Sequence, residues 1–143
     1  MATEKERRFV LKYLPDGLYG HNIKQGYLIL EGNKHLRVRI VDNDKCYITF
    51  KVFHSASVRS EYEYEIPFID AVEMLFSTNI KLEKTRYKTN FEGNSVDIDI
   101  FSNGLQIVEI EYEKDLTSLP DYCGKEVTGI KKYSNIQIAL NNS

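Results

Sequence analysis

The sequence predicts an α+β protein dominated by antiparallel β-sheet, and three observations carry that reading. Segment after segment alternates charged and apolar residues with a period of two, as a strand with two unlike faces does. Clusters of Gly, Asn, Asp and Pro separate these segments at hairpin spacing. Helical periodicity is confined to a few short stretches that can flank the sheet.

The first strand, at 4–12, places Glu4, Glu6 and Arg8 on one face. Pro15, Asp16, Gly17 and Gly20 then turn the chain. Strands follow at 25–32, 36–42 and 46–53, the last two joined by a short loop of Asp42, Asn43 and Asp44. Residues 61–66 alternate Glu61, Glu63 and Glu65 with Tyr62, Tyr64 and Ile66, and Pro67 ends that strand because it cannot donate to the ladder. A helix is expected at 69–78, with Ile69, Val72, Leu75 and Phe76 as its packing stripe and Met74 as a packing residue.

Strands six to eight fall at 80–88, 96–101 and 105–113, which makes eight strands in a meander of hairpins. A short helix is expected at 115–119. A last one is expected at 133–142, capped by Ser134 or Asn135, with Ile136, Ala139 and Leu140 on one face.

The alternation fits two architectures. In a sandwich the charges face solvent, and alternation alone favours this because charged residues are rarely enclosed. In a closed barrel the bore is charged and wet, and helices or a second subunit cover the apolar outside.

With 143 residues the chain suits one domain, 1–143, able to bury a core without disulfide or metal staples. Charged residues make up 28% of it, yet the formal net charge is −2 and there is no basic tail, which argues against binding duplex nucleic acid. Cys46 and Cys123 read as two reduced thiols of a cytoplasmic protein. His21, His35 and His54 lack metal-ligand spacing. The charged start and the lack of a long apolar run argue against secretion and membrane insertion.

If the charged face is enclosed, its residues divide into two sets. Like charges 4 Å apart repel by about 4 kcal/mol at an effective dielectric of 20, so carboxylates on separate strands need cations among them. The candidates Glu4, Glu6, Glu109 and Glu111 offer hard oxygen ligands only, which suits Mg²⁺ or Mn²⁺. The basic set, Arg8, Arg37, Arg39, Lys51, Lys84 and Arg86, then calls for an anion of its own, and a polyphosphate satisfies both sets.

The ordered strings EKERRF, QGYL, LRVRI, TFK, EYEYEI, KTRY, DIF, VEIEYE and GKEVTGIKKYSN resemble the CYTH family of triphosphate tunnel metalloenzymes, most closely its short bacterial triphosphatases. The resemblance runs from Glu4 to about Asn135. It implies a closed eight-stranded antiparallel tunnel that binds triphosphate and a divalent metal, Mg²⁺ or Mn²⁺.

Position by position, it implies that Glu4, Glu6, Glu109 and Glu111 hold metal, with Glu61, Glu63 and Asp99 as further acidic positions in the bore and Glu63 and Asp99 joining the metal set. Arg8, Arg37, Arg39, Lys51, Lys84 and Arg86 would grip phosphate, with Arg59 and Lys132 nearer the mouth. Lys84, Arg86 and Glu6 are the expected catalytic residues.

One position departs from the family's Glu-x-Glu-x-Lys signature, where Arg8 replaces the lysine. An arginine stays protonated and cannot readily serve as a base, so a glutamate of the bore is expected to take the proton of the attacking water. The expected function is hydrolysis of tripolyphosphate or another triphosphate-bearing compound. Two rivals are a class IV-type adenylyl cyclase and a triphosphate-binding module without turnover. An apolar exterior covered by few helices would favour a homodimer.

Overall fold

A computed structural model of the protein describes residues 5–55 and 58–142. The strands are β1 (Glu6–Leu11), β2 (Gly20–Glu31), β3 (Lys34–Val41), β4 (Lys45–Phe53) and β5 (Arg59–Glu65), then β6 (Lys81–Phe91), β7 (Asn94–Phe101), β8 (Gln106–Glu111) and β9 (Cys123–Glu126). The helices are α1 (Phe68–Phe76) and α2 (Asn135–Asn141), with a 3₁₀ turn at Lys131–Tyr133. All nine strands form one antiparallel sheet in the order β5-β4-β3-β2-β6-β7-β8-β1-β9.

This corrects the expected closed barrel of eight strands. The ninth strand, β9, occupies the free edge of β1, pairing Phe9 with Glu126 and Leu11 with Cys123. That edge is the one β5 would need to close the ring, so the described sheet stays open. Gly124 permits the close pairing, since a Cβ there would lie 2.9 Å from the Val10 carbonyl oxygen.

The sheet nevertheless curls strongly. Lys51 of β4 lies within electrostatic reach of Glu6 of β1, and Arg59 of β5 within reach of Glu111 of β8.

Its convex face is apolar. Phe9, Val96, Ile98, Val108 and Ile110 are buried there beneath Leu18, Leu116 and Tyr122 of the connecting segments. Val38, Ile40 and Cys46 are covered by α1 through Ala71, Val72, Met74 and Leu75. The helix sits so close to β2 that a Cβ on Gly26 would come 2.8 Å from Leu75.

On the concave face the rows change character along each strand. Glu6 and Arg8 lead to Val10, Glu111 and Glu109 to Ile107, Asp97 and Asp99 to Phe101, and Lys88, Arg86 and Lys84 to Leu82. The apolar ends gather with Tyr27, Val127 and the Ile138 and Ala139 of α2, so this helix stops one end of the trough. Ser134 caps α2 by accepting a hydrogen bond from the Gln137 N–H at 3.1 Å.

Several local expectations need adjusting. Strand β2 begins at Gly20, earlier than expected, and residues 115–119 are irregular rather than helical. The packed side of α1 is Ala71, Val72 and Leu75, while Ile69 and Phe76 are 73% and 86% exposed. Leu140 is exposed, and Ile138 takes the place expected for it. The 42–44 loop is a tight hairpin in which Asp42 and Asn43 have φ of 54° and 53°, the left-handed geometry that suits strand twist. Cys46 and Cys123 are free and buried. No helix among the described residues is long and apolar enough to cross a membrane.

Candidate functional site

The curl encloses a cavity of about 340 Å³ lined almost wholly by polar and charged side chains. It is bounded by two walls and an acidic corner.

On the wall formed by β2 to β5, Arg37, Arg39 and Lys51 have no carboxylate at close hydrogen-bond distance among the described residues. Arg39 donates from Nε and Nη2 to the Gln25 side-chain oxygen at 3.0 and 2.9 Å. Burial, followed by the neighbouring Arg37 and Arg86, pushes Arg39 down to about 10. Arg37 reaches Glu61 only at 4.0 Å, and its buried Nε has no hydrogen-bond partner. Lys51 lies 3.6 Å from the same carboxylate, and burial and Arg37 lower its pKa. Glu63 accepts the Thr49 hydroxyl at 2.8 Å. Arg59 lies at the rim beside Phe53, with its guanidinium carbon 5.9 Å from the ring centre.

The wall formed by β6, β7, β8 and β1 is tightly paired. Asp99 accepts from Arg86 Nε and Nη2 at 2.8 and 2.9 Å and from Lys84 Nζ at 2.8 Å. Burial would raise Asp99, but Lys84 and Arg86 hold it well below the usual carboxylate range. Arg86 also meets Asp97 at 3.4 Å. Burial would lower Arg86, yet Asp99 and Asp97 push it above its ordinary value. Lys84 is 1% exposed and also donates to the Asn135 side-chain oxygen at 3.0 Å. Arg8 bridges Glu109 at 2.8 Å and the Tyr133 carbonyl at 2.7 Å, which ties β1 and β8 to the segment before α2.

In the acidic corner, carboxylate oxygens of Glu6, Glu109 and Glu111 lie within 4.8 Å of one another. Burial and the adjacent Glu109 push Glu6 up to about 8. Burial opposes ionisation of Glu109 as well, but the hydrogen bond with Glu6 and the Arg8 charge keep it below its ordinary value. Burial and Glu109 also raise Glu111. Three crowded carboxylates, two of them with raised proton affinity and only Glu109 paired to a cation, form an oxygen-only donor set that fits a hard divalent cation.

The structure thus brings together Glu6, Glu109 and Glu111 as one group, and Arg8, Arg37, Arg39, Lys51, Arg59 and Arg86 on the same cavity. Glu4 lies outside the described residues. Asp99 and Glu63 stand apart from the acidic corner, spent on Lys84 and Arg86 and on Thr49 respectively. Lys84, buried against Asp99 and Asn135, is not among the residues lining the cavity. Lys132 is exposed and not among the lining residues, its ammonium 5.1 Å from the Tyr133 ring centre. Sequence reasoning did not single out Gln25, which orients Arg39, and named Asn135, which accepts from Lys84, only as a possible helix cap. For Gln25 a signal existed, because it shares strand parity with Tyr27 and falls in register with Arg39.

A curled antiparallel sheet that holds opposed cations and carboxylates around one cavity defines a class of β-proteins with ionic interiors. The CYTH domain family model matches residues 21–138. The chain belongs to that family. It is 39% identical to an inorganic triphosphatase of Acetivibrio thermocellus over 153 aligned residues, covering 99% of this chain and 96% of the relative. It is 33% identical to an inorganic triphosphatase of Nitrosomonas europaea, covering 96% and 97%. Among solved structures it is similar to the crystal structure of an inorganic triphosphatase, with a TM-score of 0.73, 32% identity and coverage of 98% and 96%. A conserved hypothetical protein from Pyrococcus furiosus shares the fold, with a TM-score of 0.63 at 24% identity and coverage of 79% and 80%.

Proposed function

We propose that the protein is a divalent-metal-dependent triphosphatase that hydrolyses inorganic tripolyphosphate in the charged cavity. The observation that carries this reading is the placement of an underpaired basic wall and a crowded acidic corner on one cavity, which suits a polyanion and a cation bound side by side. Full-length relatives named inorganic triphosphatase support it. The choice of a compact inorganic substrate follows from the lining. At about 340 Å³ the cavity is at the small end for ligand sites. Its aromatic rings are Tyr27, already engaged by Gln25, and the His35–Phe53 pair, which pack on each other with ring centres 4.7 Å apart and carry the Arg59 guanidinium.

Glu6, Glu109 and Glu111 would hold the metal, Mg²⁺ or Mn²⁺. When bound, the cation supplies charge neutralisation and Lewis-acid polarisation of phosphoryl oxygens. Arg37, Arg39, Lys51 and Arg59 bind the phosphates and stabilise the charge that develops on the transferred group. Arg86, fixed by Asp99, adds a guanidinium edge from the opposite wall. Water attacks the terminal phosphorus in line, the bridging P–O bond breaks, and pyrophosphate departs with the bonding electrons. Glu6, a carboxylate of the acidic corner beside the phosphates, would take the proton of the attacking water. Arg8, with both terminal nitrogens donating, acts as a strut and phosphate-facing cation rather than a base.

The test is release of orthophosphate and pyrophosphate from tripolyphosphate with Mg²⁺ or Mn²⁺. Glu6→Gln is expected to lower the rate by about 100-fold. An unchanged rate in that variant would remove Glu6 from the mechanism. Cyclic nucleotide formed from ATP would instead establish a cyclase, and tight tripolyphosphate binding without product would establish a binding module.

A further inference from the structure

Arg8, Arg86 and Arg37 meet carboxylates of their own wall, at 2.8, 2.8 and 4.0 Å, but Arg39 is held by a neutral amide. Gln25 is completely buried and spends its whole side chain on this task. Its oxygen accepts two N–H groups of the Arg39 fork, and its nitrogen donates to the Tyr27 hydroxyl at 2.8 Å. Tyr27 is buried too, so the chain Tyr27–Gln25–Arg39 is fixed at its base and presents the guanidinium to the cavity.

The choice of an amide has an electrostatic consequence. A glutamate would fit the same space and accept the same fork but would cancel the arginine's charge, whereas glutamine fixes the fork and leaves the charge whole. Its titratable neighbours offset the charge only in part. Arg37 and Arg86 repel Arg39 ahead of the attraction of Glu63, whose carboxylate forms no ion pair with it and hydrogen-bonds the Thr49 hydroxyl. The protein without ligand therefore bears a buried positive charge among like charges, and an anion relieves it.

We propose that Gln25 is a positioning residue that keeps Arg39 as the cavity's carboxylate-free arginine anchor, so that its full charge is available to a phosphate group of the bound polyanion. The inference rests on the triphosphatase reading. It adds a determinant of anion affinity outside the charged residues.

The test compares wild type, Gln25→Glu and Gln25→Met by tripolyphosphate KM and kcat with Mg²⁺, and by melting temperature with and without tripolyphosphate. For Gln25→Glu the expected result is a KM raised about tenfold or more with a smaller change in kcat, because the added carboxylate neutralises the anchor. Its melting temperature without anion should equal or exceed that of wild type, while the upward shift produced by tripolyphosphate shrinks. Gln25→Met adds no charge and should raise KM less. Two results would overturn the inference: a Gln25→Glu KM within about twofold of wild type, or a Gln25→Met KM raised as much as that of Gln25→Glu, which would make the role one of packing alone. Wild type that neither binds nor cleaves tripolyphosphate would remove the parent reading instead.

Discussion

On the β6–β7–β8–β1 wall the buried cations named above meet carboxylates at hydrogen-bond distance, with Lys84 and Arg86 on Asp99 and Arg8 on Glu109. On the β2–β5 wall the contacts are longer or neutral, with Arg37 and Lys51 sharing Glu61 at 4.0 and 3.6 Å and Arg39 resting on an amide. Both walls are rich in positive side chains, so a tally of charges does not separate them. Their pairing does. The first wall is closed on itself and acts as scaffold, while the second has attraction left over for a ligand.

Three perturbations separate the walls, in falling order of effect. Asp99→Ala should be the most damaging to the fold, because it strands two buried cations at once. A loss of about 3–5 kcal/mol is expected in denaturant unfolding, and a loss below about 1 kcal/mol would show that the scaffold wall does not depend on its pairing. Arg37→Ala should do the opposite, lowering kcat/KM for tripolyphosphate by about 100-fold with little change in melting temperature. A variant that melts far earlier would place Arg37 in the scaffold.

The smallest effect is a pH slope. Burial, with Arg86 and Arg39 nearby, pushes Lys84 down to about 7 from its ordinary 10.5 despite Asp99. Between those values the unfolded chain binds more protons than the folded one, so the cost of burying Lys84 is full below pH 7 and fades toward 10.5. The ligand-free protein should therefore gain stability from this residue as pH rises through that window. In Lys84→Met that part of the slope should vanish, and an identical slope in both proteins would count against the buried lysine as its source.

Much of this contrast was legible in the chain because strand parity is simple. The alternation at Glu6 and Arg8, at Arg37 and Arg39, and at Glu109 and Glu111 put those residues on one face before any fold was known. What alternation does not encode is which partner each charge finds. Asp99 reads like a metal ligand until β7 pairs with β6 in the register that sets it opposite Arg86. Gln25 carries no charge and drew no notice.

Closure was equally out of reach. It depends on whether β5 meets β1, and the four residues of β9, too short to show alternation, decide the matter by taking that edge. In α1, Ile69 and Phe76 completed an apolar stripe on paper, but the helix rests on Ala71 and Gly26, where small residues allow close approach. Periodicity marks the helix, while the closest backbone contact sets its rotation.

The most direct test of the account is a crystal structure of the protein with Mn²⁺ and orthophosphate, with the metal located by its anomalous scattering. The account predicts a peak about 2.0–2.3 Å from carboxylate oxygens of Glu6, Glu109 and Glu111, with phosphate oxygens on Arg37 and Arg39 across the cavity. Manganese and phosphate bound only on the convex face or at the surface, with the cavity holding water alone, would contradict it.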